Sequence, residues 1–117
     1  MRWLSQRVIS FGHALRGVKT LLAEPHAQIH LSATVVVVAL GWLVELSRSD
    51  WQVLVLTIAI VWLAEGLNTA LEHLCDAAVP DHHPLIGKAK DVAAASVLVT
   101  ALGAVIIGTL LFLPYLT

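Results

Sequence analysis

The chain has 117 residues, of which 58% are hydrophobic and 13% are charged. Soluble domains average roughly 45–50% apolar and about 25% charged residues, so this composition excludes a disordered chain and argues against an ordinary soluble domain. The formal net charge is −1, which provides no basic field for nucleic acid, and none is expected as a partner. The single cysteine excludes an intramolecular disulfide. The composition predicts one small integral membrane domain over residues 1–117.

The N-terminal segment, about residues 5–24, predicts an amphipathic helix that lies in the membrane interface. Phe11, Leu15 and Val18 recur at helical spacing, and the basic residues of the segment fall on another face. Such a helix buries its apolar face among the acyl chains and turns its basic side chains toward the headgroups. Pro25 is expected to end this helix, because proline disrupts a helix interior.

Three apolar stretches follow, at about residues 29–46, 51–76 and 91–113. The third is uncharged from Val92 to Leu113 and would extend about 33 Å as a helix, enough to cross a hydrocarbon core. None of the stretches alternates apolar and polar residues, and three strands cannot close a barrel. The predicted fold class is therefore an all-α membrane protein with three transmembrane helices and an N-terminal interfacial helix.

The distribution of Lys and Arg predicts the orientation in the membrane. The segment before the first span carries four of these residues, and the loop between spans two and three is followed by Lys88 and Lys90. The loop between spans one and two carries only Arg48. Because basic residues are retained on the cytoplasmic side, the N-terminus and the second loop are expected in the cytoplasm.

The second span carries a stripe of polar residues in its C-terminal half. Glu65, Asn68, Glu72 and Asp76 are spaced three, four and four residues apart, which places them on one helical face; we call them the acidic stripe. A carboxylate within the hydrocarbon costs roughly 2.5–3.5 kcal/mol on insertion scales. Glu65 lies about 16 Å deeper than Asp76 along the helix, and we interpret it as a functional residue.

Beyond the loop at residues 79–84, which has a proline near each end, come Lys88, Lys90 and Asp91. Carboxylates bind hard cations and ammonium groups bind phosphate oxygens, so these residues beside the acidic stripe favour a site for a polyphosphate with a divalent cation. The positive-inside bias alone is the alternative explanation for the two lysines.

Three segments carry a resemblance to a known family. They are EPHAQIHL at residues 24–31, AEGLNTALEHLCD at residues 64–76 and HPLIGKAKDVAA at residues 83–94. Together they resemble the prokaryotic diacylglycerol kinase family, which includes undecaprenol kinases, and the resemblance extends from about Phe11 to Leu113. It implies a multi-pass kinase of the bacterial cytoplasmic (inner) membrane, a homotrimer with active sites between neighbouring subunits. It also implies transfer of the γ-phosphoryl group of ATP to a lipid hydroxyl with Mg²⁺.

Carried residue by residue onto this sequence, the resemblance also implies a set of site residues. The catalytic base is expected at Glu65, and the metal-holding carboxylates at Glu24 and Glu72. Polar positions around the nucleotide are expected at Glu24, Asn68, Glu72, Asp76, His83, Lys90 and Asp91. Lipid-binding positions are expected at Glu65, Ala94 and Ala95.

The sequence departs from the family pattern at two positions in the first segment. Gln28 stands where relatives often have a basic residue, and His30 stands where one branch has an acid. His30 and the pair His83-Pro84 resemble the undecaprenol kinases more than the diacylglycerol kinases, so undecaprenol is the favoured acceptor over diacylglycerol.

Two further classes of function fit part of the sequence. A small oligomeric transporter coupled to protons or cations would use a membrane carboxylate such as Glu65, and a non-enzymatic assembly subunit is a third option. Neither requires Lys88, Lys90 and Asp91 beside an acidic stripe, and neither requires the interfacial helix. These features favour the kinase.

Overall fold

The computed structural model describes residues 1–117 and consists of four α-helices without any strand. The helices are α1 (Arg2–Leu22), α2 (Pro25–Leu43), α3 (Arg48–Ala78) and α4 (Pro84–Leu116). The last three are long and apolar enough to cross a membrane. The all-α class with three membrane-spanning helices, predicted from composition and hydropathy, is confirmed.

The ends of the helices follow from proline and capping residues. Pro25 and Pro84 each occupy the first turn of a helix, where the missing N–H group would have no intrahelical partner in any case. The Ser47 side chain accepts a hydrogen bond from the Asp50 N–H at the start of α3. The His83 side chain accepts one from the Leu85 N–H at the start of α4. These caps satisfy terminal N–H groups, so α3 and α4 extend beyond the predicted apolar stretches at both ends.

The turn between α2 and α3 begins earlier than the apolar stretch at 29–46 suggests. α2 ends at Leu43, and Glu45 adopts a positive φ of 56°, which reverses the chain. The reversal buries Leu46 in the small core. A Cβ atom at Gly41 would lie 2.8 Å from Cη2 of Trp51, so only glycine allows this approach of the ring to α2.

The core lies at the end of the molecule where this turn meets the C-terminus of α4. Leu46, Leu54, Leu111 and Phe112 form it. Beside it, the Tyr115 hydroxyl donates a hydrogen bond of 2.5 Å to Asp50 Oδ2 and accepts one of 3.0 Å from the Ser47 N–H. These contacts fix the first turn of α3 to the last turn of α4.

The molecule is flat. Its dimensions are 53 × 46 × 20 Å, α3 packs most extensively against α4, and only 10 of 117 residues are buried. Large apolar side chains on all four helices are exposed. A surface of this kind is stable only against lipid or against other protein surfaces.

Candidate active site

Glu65 is the most deeply buried polar residue of the molecule. Its exposed fraction is 2%, and it lies thirteen residues before the end of α3, about 20 Å along the helix axis. Its carboxylate Oε2 is 3.2 Å from Nε2 of His30 on α2, at ion-pair distance. The side chain therefore points into the protein, toward α2, as expected of a carboxylate at membrane depth.

A second contact between α2 and α3 lies beside this pair. The Trp62 indole N–H donates a hydrogen bond of 3.0 Å to Thr34 Oγ1, and the Thr34 hydroxyl donates one of 2.7 Å to the His30 carbonyl oxygen. The rings of His30 and Trp62 meet edge to face, with centroids 6.2 Å apart. Two residues of each helix thus form one polar and aromatic cluster within the membrane-spanning region.

An apolar cavity of about 560 Å³ opens beside this cluster, between α2, α3 and α4. His30 and Thr34 line it from α2, Leu54 and Val61 from α3, and Gly108 from α4. His30 is the one ionisable side chain among the lining residues. The cavity therefore combines a mostly apolar interior with one ionisable group, as expected of a site for an amphiphilic molecule.

Nearer the end of α3, Glu24 and His73 connect the junction of α1 and α2 to α3. Glu24 Oε1 lies 3.2 Å from His73 Nε2. His73 follows Glu72 directly in the sequence, so the two predicted metal-binding carboxylates, Glu24 and Glu72, belong to neighbouring parts of the fold. Glu72 itself is exposed.

Asp76 and Lys90 form an ion pair across the loop between α3 and α4. Lys90 Nζ donates a hydrogen bond of 2.6 Å to Asp76 Oδ1. Both residues are predicted nucleotide-binding positions, and the structure brings them together. The pair places a cation next to the exposed end of the acidic stripe.

Asn68 lies on the acidic stripe between Glu65 and Glu72. Its Oδ1 atom is buried and has no hydrogen-bond partner. Buried acceptors are nearly always satisfied, so an orphaned one at a predicted nucleotide-binding position fits a donor that the single chain does not supply.

The structure does not bring the remaining predicted residues together with this cluster. Asp91, Ala94 and Ala95 are exposed on α4, and no hydrogen bond or ion pair joins Asp91 to another side chain. His83 is occupied by capping α4, where its Nδ1 accepts from the Leu85 N–H at 3.1 Å.

Two contacts in the site were not anticipated from the sequence. His30 is visible there only as a departure from the family pattern, and no role was assigned to His73. The sequence does carry a signal for the contact of His30. His30 and Thr34 are four residues apart, so they share one face of α2, the face that meets α3.

The donor set fits magnesium. Magnesium in proteins binds through one or two carboxylates plus substrate phosphates and waters, and Glu24 and Glu72 supply carboxylate oxygens of this kind. No group of three or more His, Cys, Asp or Glu side chains in the chain is arranged to hold a metal ion.

Comparison with known proteins gives three matches. The family described as prokaryotic diacylglycerol kinase matches residues 12–112. An undecaprenol kinase from Bacillus subtilis is 45% identical over 108 residues, which cover 92% of this chain and 88% of that protein. A diacylglycerol kinase from a Synechocystis species is 40% identical over 109 residues, which cover 92% of this chain and 62% of that protein.

Proposed function

Because the chain belongs to the prokaryotic diacylglycerol kinase family and is thereby a lipid kinase, we propose that it transfers the γ-phosphoryl group of ATP to the hydroxyl group of a membrane lipid alcohol. The observation that carries the proposal is Glu65, which is 2% exposed in a helix able to cross a membrane. A buried carboxylate in such a helix is costly and indicates a function, and accepting the proton of a lipid hydroxyl is a function of this kind.

Glu65 acts as the general base. Phosphoryl transfer requires aligned reactants, charge neutralisation and an acceptor for the hydroxyl proton. As the lipid oxygen forms its bond to the γ-phosphorus, the bond from that phosphorus to the oxygen bridging to the β-phosphate breaks. The hydroxyl proton moves to the Glu65 carboxylate, and ADP leaves with the bridging oxygen.

The nucleotide binds at the more exposed end of the acidic stripe. Asn68 contributes its unpartnered Oδ1, and Asp76 and Lys90 contribute the ion pair across the loop. Lys90 turns from Asp76 to phosphate oxygens, since ammonium groups bind phosphate strongly. Asp91 and His83 complete the polar positions around the nucleotide.

Glu24 and Glu72 would hold magnesium together with the phosphates of ATP. A bound ion would supply positive charge to neutralise the phosphate oxygens. Glu24 is restrained by its contact with His73, which fixes the junction of α1 and α2 against α3. Glu72 is exposed and is available to the ion.

Undecaprenol is the proposed acceptor in preference to diacylglycerol. The relative named undecaprenol kinase is 45% identical and matches over 88% of its own length. The apolar cavity next to His30 has a volume of about 560 Å³, which accommodates part of a long hydrocarbon chain. Ala94 and Ala95, small and exposed on α4, leave room for a lipid near the membrane surface.

The active form is proposed to be a homotrimer with sites shared between subunits. A flat subunit with ten buried residues cannot enclose a polar cleft, and the exposed Asp91, Ala94 and Ala95 require a neighbouring surface to join a site. Small residues along α4 allow close helix contacts. The N-terminus and the loop at 79–83 are proposed to face the cytoplasm, on the inner membrane, where ATP is available.

The direct test is phosphate transfer from γ-labelled ATP to lipid by the purified protein in detergent. Undecaprenol and diacylglycerol are supplied in parallel, with and without magnesium. We expect label in undecaprenol phosphate, dependent on magnesium, and a lower rate on diacylglycerol. Failure to label any lipid alcohol, together with proton or cation flux in protein-containing liposomes, would overturn the kinase proposal in favour of a transporter.

A further inference from the structure

His30 contacts Glu65 on one side and lines the apolar cavity on the other. Its Nε2 is 3.2 Å from Glu65 Oε2, and its ring is part of the cavity wall. From this arrangement we infer that His30 is a positioning residue, which holds the carboxylate of Glu65 in the orientation that accepts the proton of a lipid hydroxyl. The inference rests on the proposed function of Glu65 as the base.

His30 is the one side chain that forms an ion pair with the Glu65 carboxylate. No other ion pair or side-chain hydrogen bond reaches Glu65. The α4 residues that line the cavity include no ionisable side chain, and α1 presents the apolar Leu21 to Gly66, beside Glu65. Without the imidazole, a buried carboxylate would have no polar partner to select one orientation.

The imidazole is itself held in place. The Trp62 ring meets it edge to face, and Trp62 is anchored in turn by its hydrogen bond to Thr34, one turn beyond His30. A group that orients a base must have a fixed position of its own. The helical backbone of α2 and packing against Trp62 fix the position of the His30 ring.

The contact reaches one carboxylate oxygen of Glu65. Nε2 of His30 lies 3.2 Å from Oε2, at ion-pair distance, so the imidazole restrains the carboxylate through that atom. Positioning of this kind affects the rate of transfer and leaves the affinity for ATP unchanged, because no hydrogen bond or ion pair joins His30 to the residues at the exposed end of the acidic stripe.

Two amide substitutions of His30 separate the effect of side-chain length from the effect of side-chain polarity. Gln at position 30 can place an N–H near the present position of Nε2, whereas Asn has the same group on a side chain one methylene shorter. We expect His30→Asn to lower kcat about a hundredfold, the cost of misplacing a reacting group by about 1 Å. His30→Gln should retain kcat within about fivefold, and KM for ATP should stay within about twofold in both variants.

Ser32→Ala is the matched control. It removes an exposed hydroxyl of α2 that donates a hydrogen bond of 3.0 Å to the Gln28 carbonyl oxygen, and it leaves the side chains of His30 and Glu65 intact. Its kcat should stay near that of the wild type. Circular dichroism and size-exclusion chromatography in detergent establish that each variant is folded before its rate is compared.

The outcomes separate this inference from the proposed function. Wild-type kcat in His30→Asn, or equal losses of kcat in His30→Asn, His30→Gln and Ser32→Ala, would overturn the positioning role. The same assay on Glu65→Gln decides the proposed function. If Glu65→Gln is inactive and His30→Asn is fully active, only the inference about His30 fails; if Glu65→Gln is fully active, the proposed base fails as well.

Discussion

Replacing Glu65 by Gln tests the proposed base with the smallest possible change in shape. Because the side chain is 2% exposed, a truncation would create a buried cavity, whereas Gln has nearly the same volume and keeps a polar group toward His30. The amide cannot accept the hydroxyl proton. Proton transfer to a positioned base contributes roughly 10²–10⁴ in rate, which corresponds to about 3–5 kcal/mol of the activation barrier.

The assay measures turnover and nucleotide binding separately. Initial rates of lipid phosphorylation in detergent micelles, at saturating lipid, give kcat, and equilibrium titration with a non-hydrolysable ATP analogue gives the affinity. We expect kcat of Glu65→Gln to fall at least about a hundredfold, with the affinity within about twofold of the wild type, because the nucleotide residues lie farther along the stripe.

Glu45→Gln is the matched control for Glu65→Gln. Glu45 is exposed in the turn between α2 and α3, so the same chemical change there should leave kcat and affinity unchanged. Turnover of Glu65→Gln within about threefold of the wild type would refute the reasoning, since a general base accounts for much more than that.

Three further predictions concern the metal and the fold. Glu72→Gln should raise the magnesium concentration that gives half-maximal activity by about tenfold or more, as found when metal-site groups are removed. A magnesium titration at saturating ATP measures this concentration, and an unchanged value contradicts the assignment. Gly41→Ala should lower the free energy of unfolding by about 1–3 kcal/mol, because the added Cβ would lie 2.8 Å from Trp51 and overpack the contact. An increase in stability, which the higher helix propensity of alanine would give by itself, would contradict this prediction. Tyr115→Phe should lower the free energy of unfolding by about 1–3 kcal/mol, because Asp50 loses its hydroxyl donor, and it should leave lipid phosphorylation unchanged. Tryptophan fluorescence in mixed micelles measures unfolding for both Gly41→Ala and Tyr115→Phe.

Much of the architecture could be predicted from the local sequence. An uncharged stretch such as 92–113 must be helical in a bilayer, because every backbone polar group there needs an internal partner. Pro25 sets the boundary between α1 and α2 by a local steric effect. The spacing of Glu65, Asn68 and Glu72 places them on one face as soon as the segment is helical.

The ends of the helices were less predictable. Hydropathy marks only where the chain is apolar, whereas α3 and α4 begin at the caps Ser47 and His83, outside the apolar stretches. The turn at Glu45 likewise falls within the predicted apolar stretch at 29–46. Helix termini depend on individual hydrogen bonds and backbone angles, which average hydropathy does not record.

The sequence by itself determined the number of apolar helices, the helical face that carries the acids and the position of Glu65 along its helix, since all three depend on periodicity and length within each helix. Only the tertiary structure decided that His30 meets Glu65, that His73 meets Glu24 and that Lys90 meets Asp76. Each of these pairs joins residues of different helices or of the segments at their ends. The relative rotation and axial shift of two helices are set by packing along their whole length, and no local pattern in either helix specifies them.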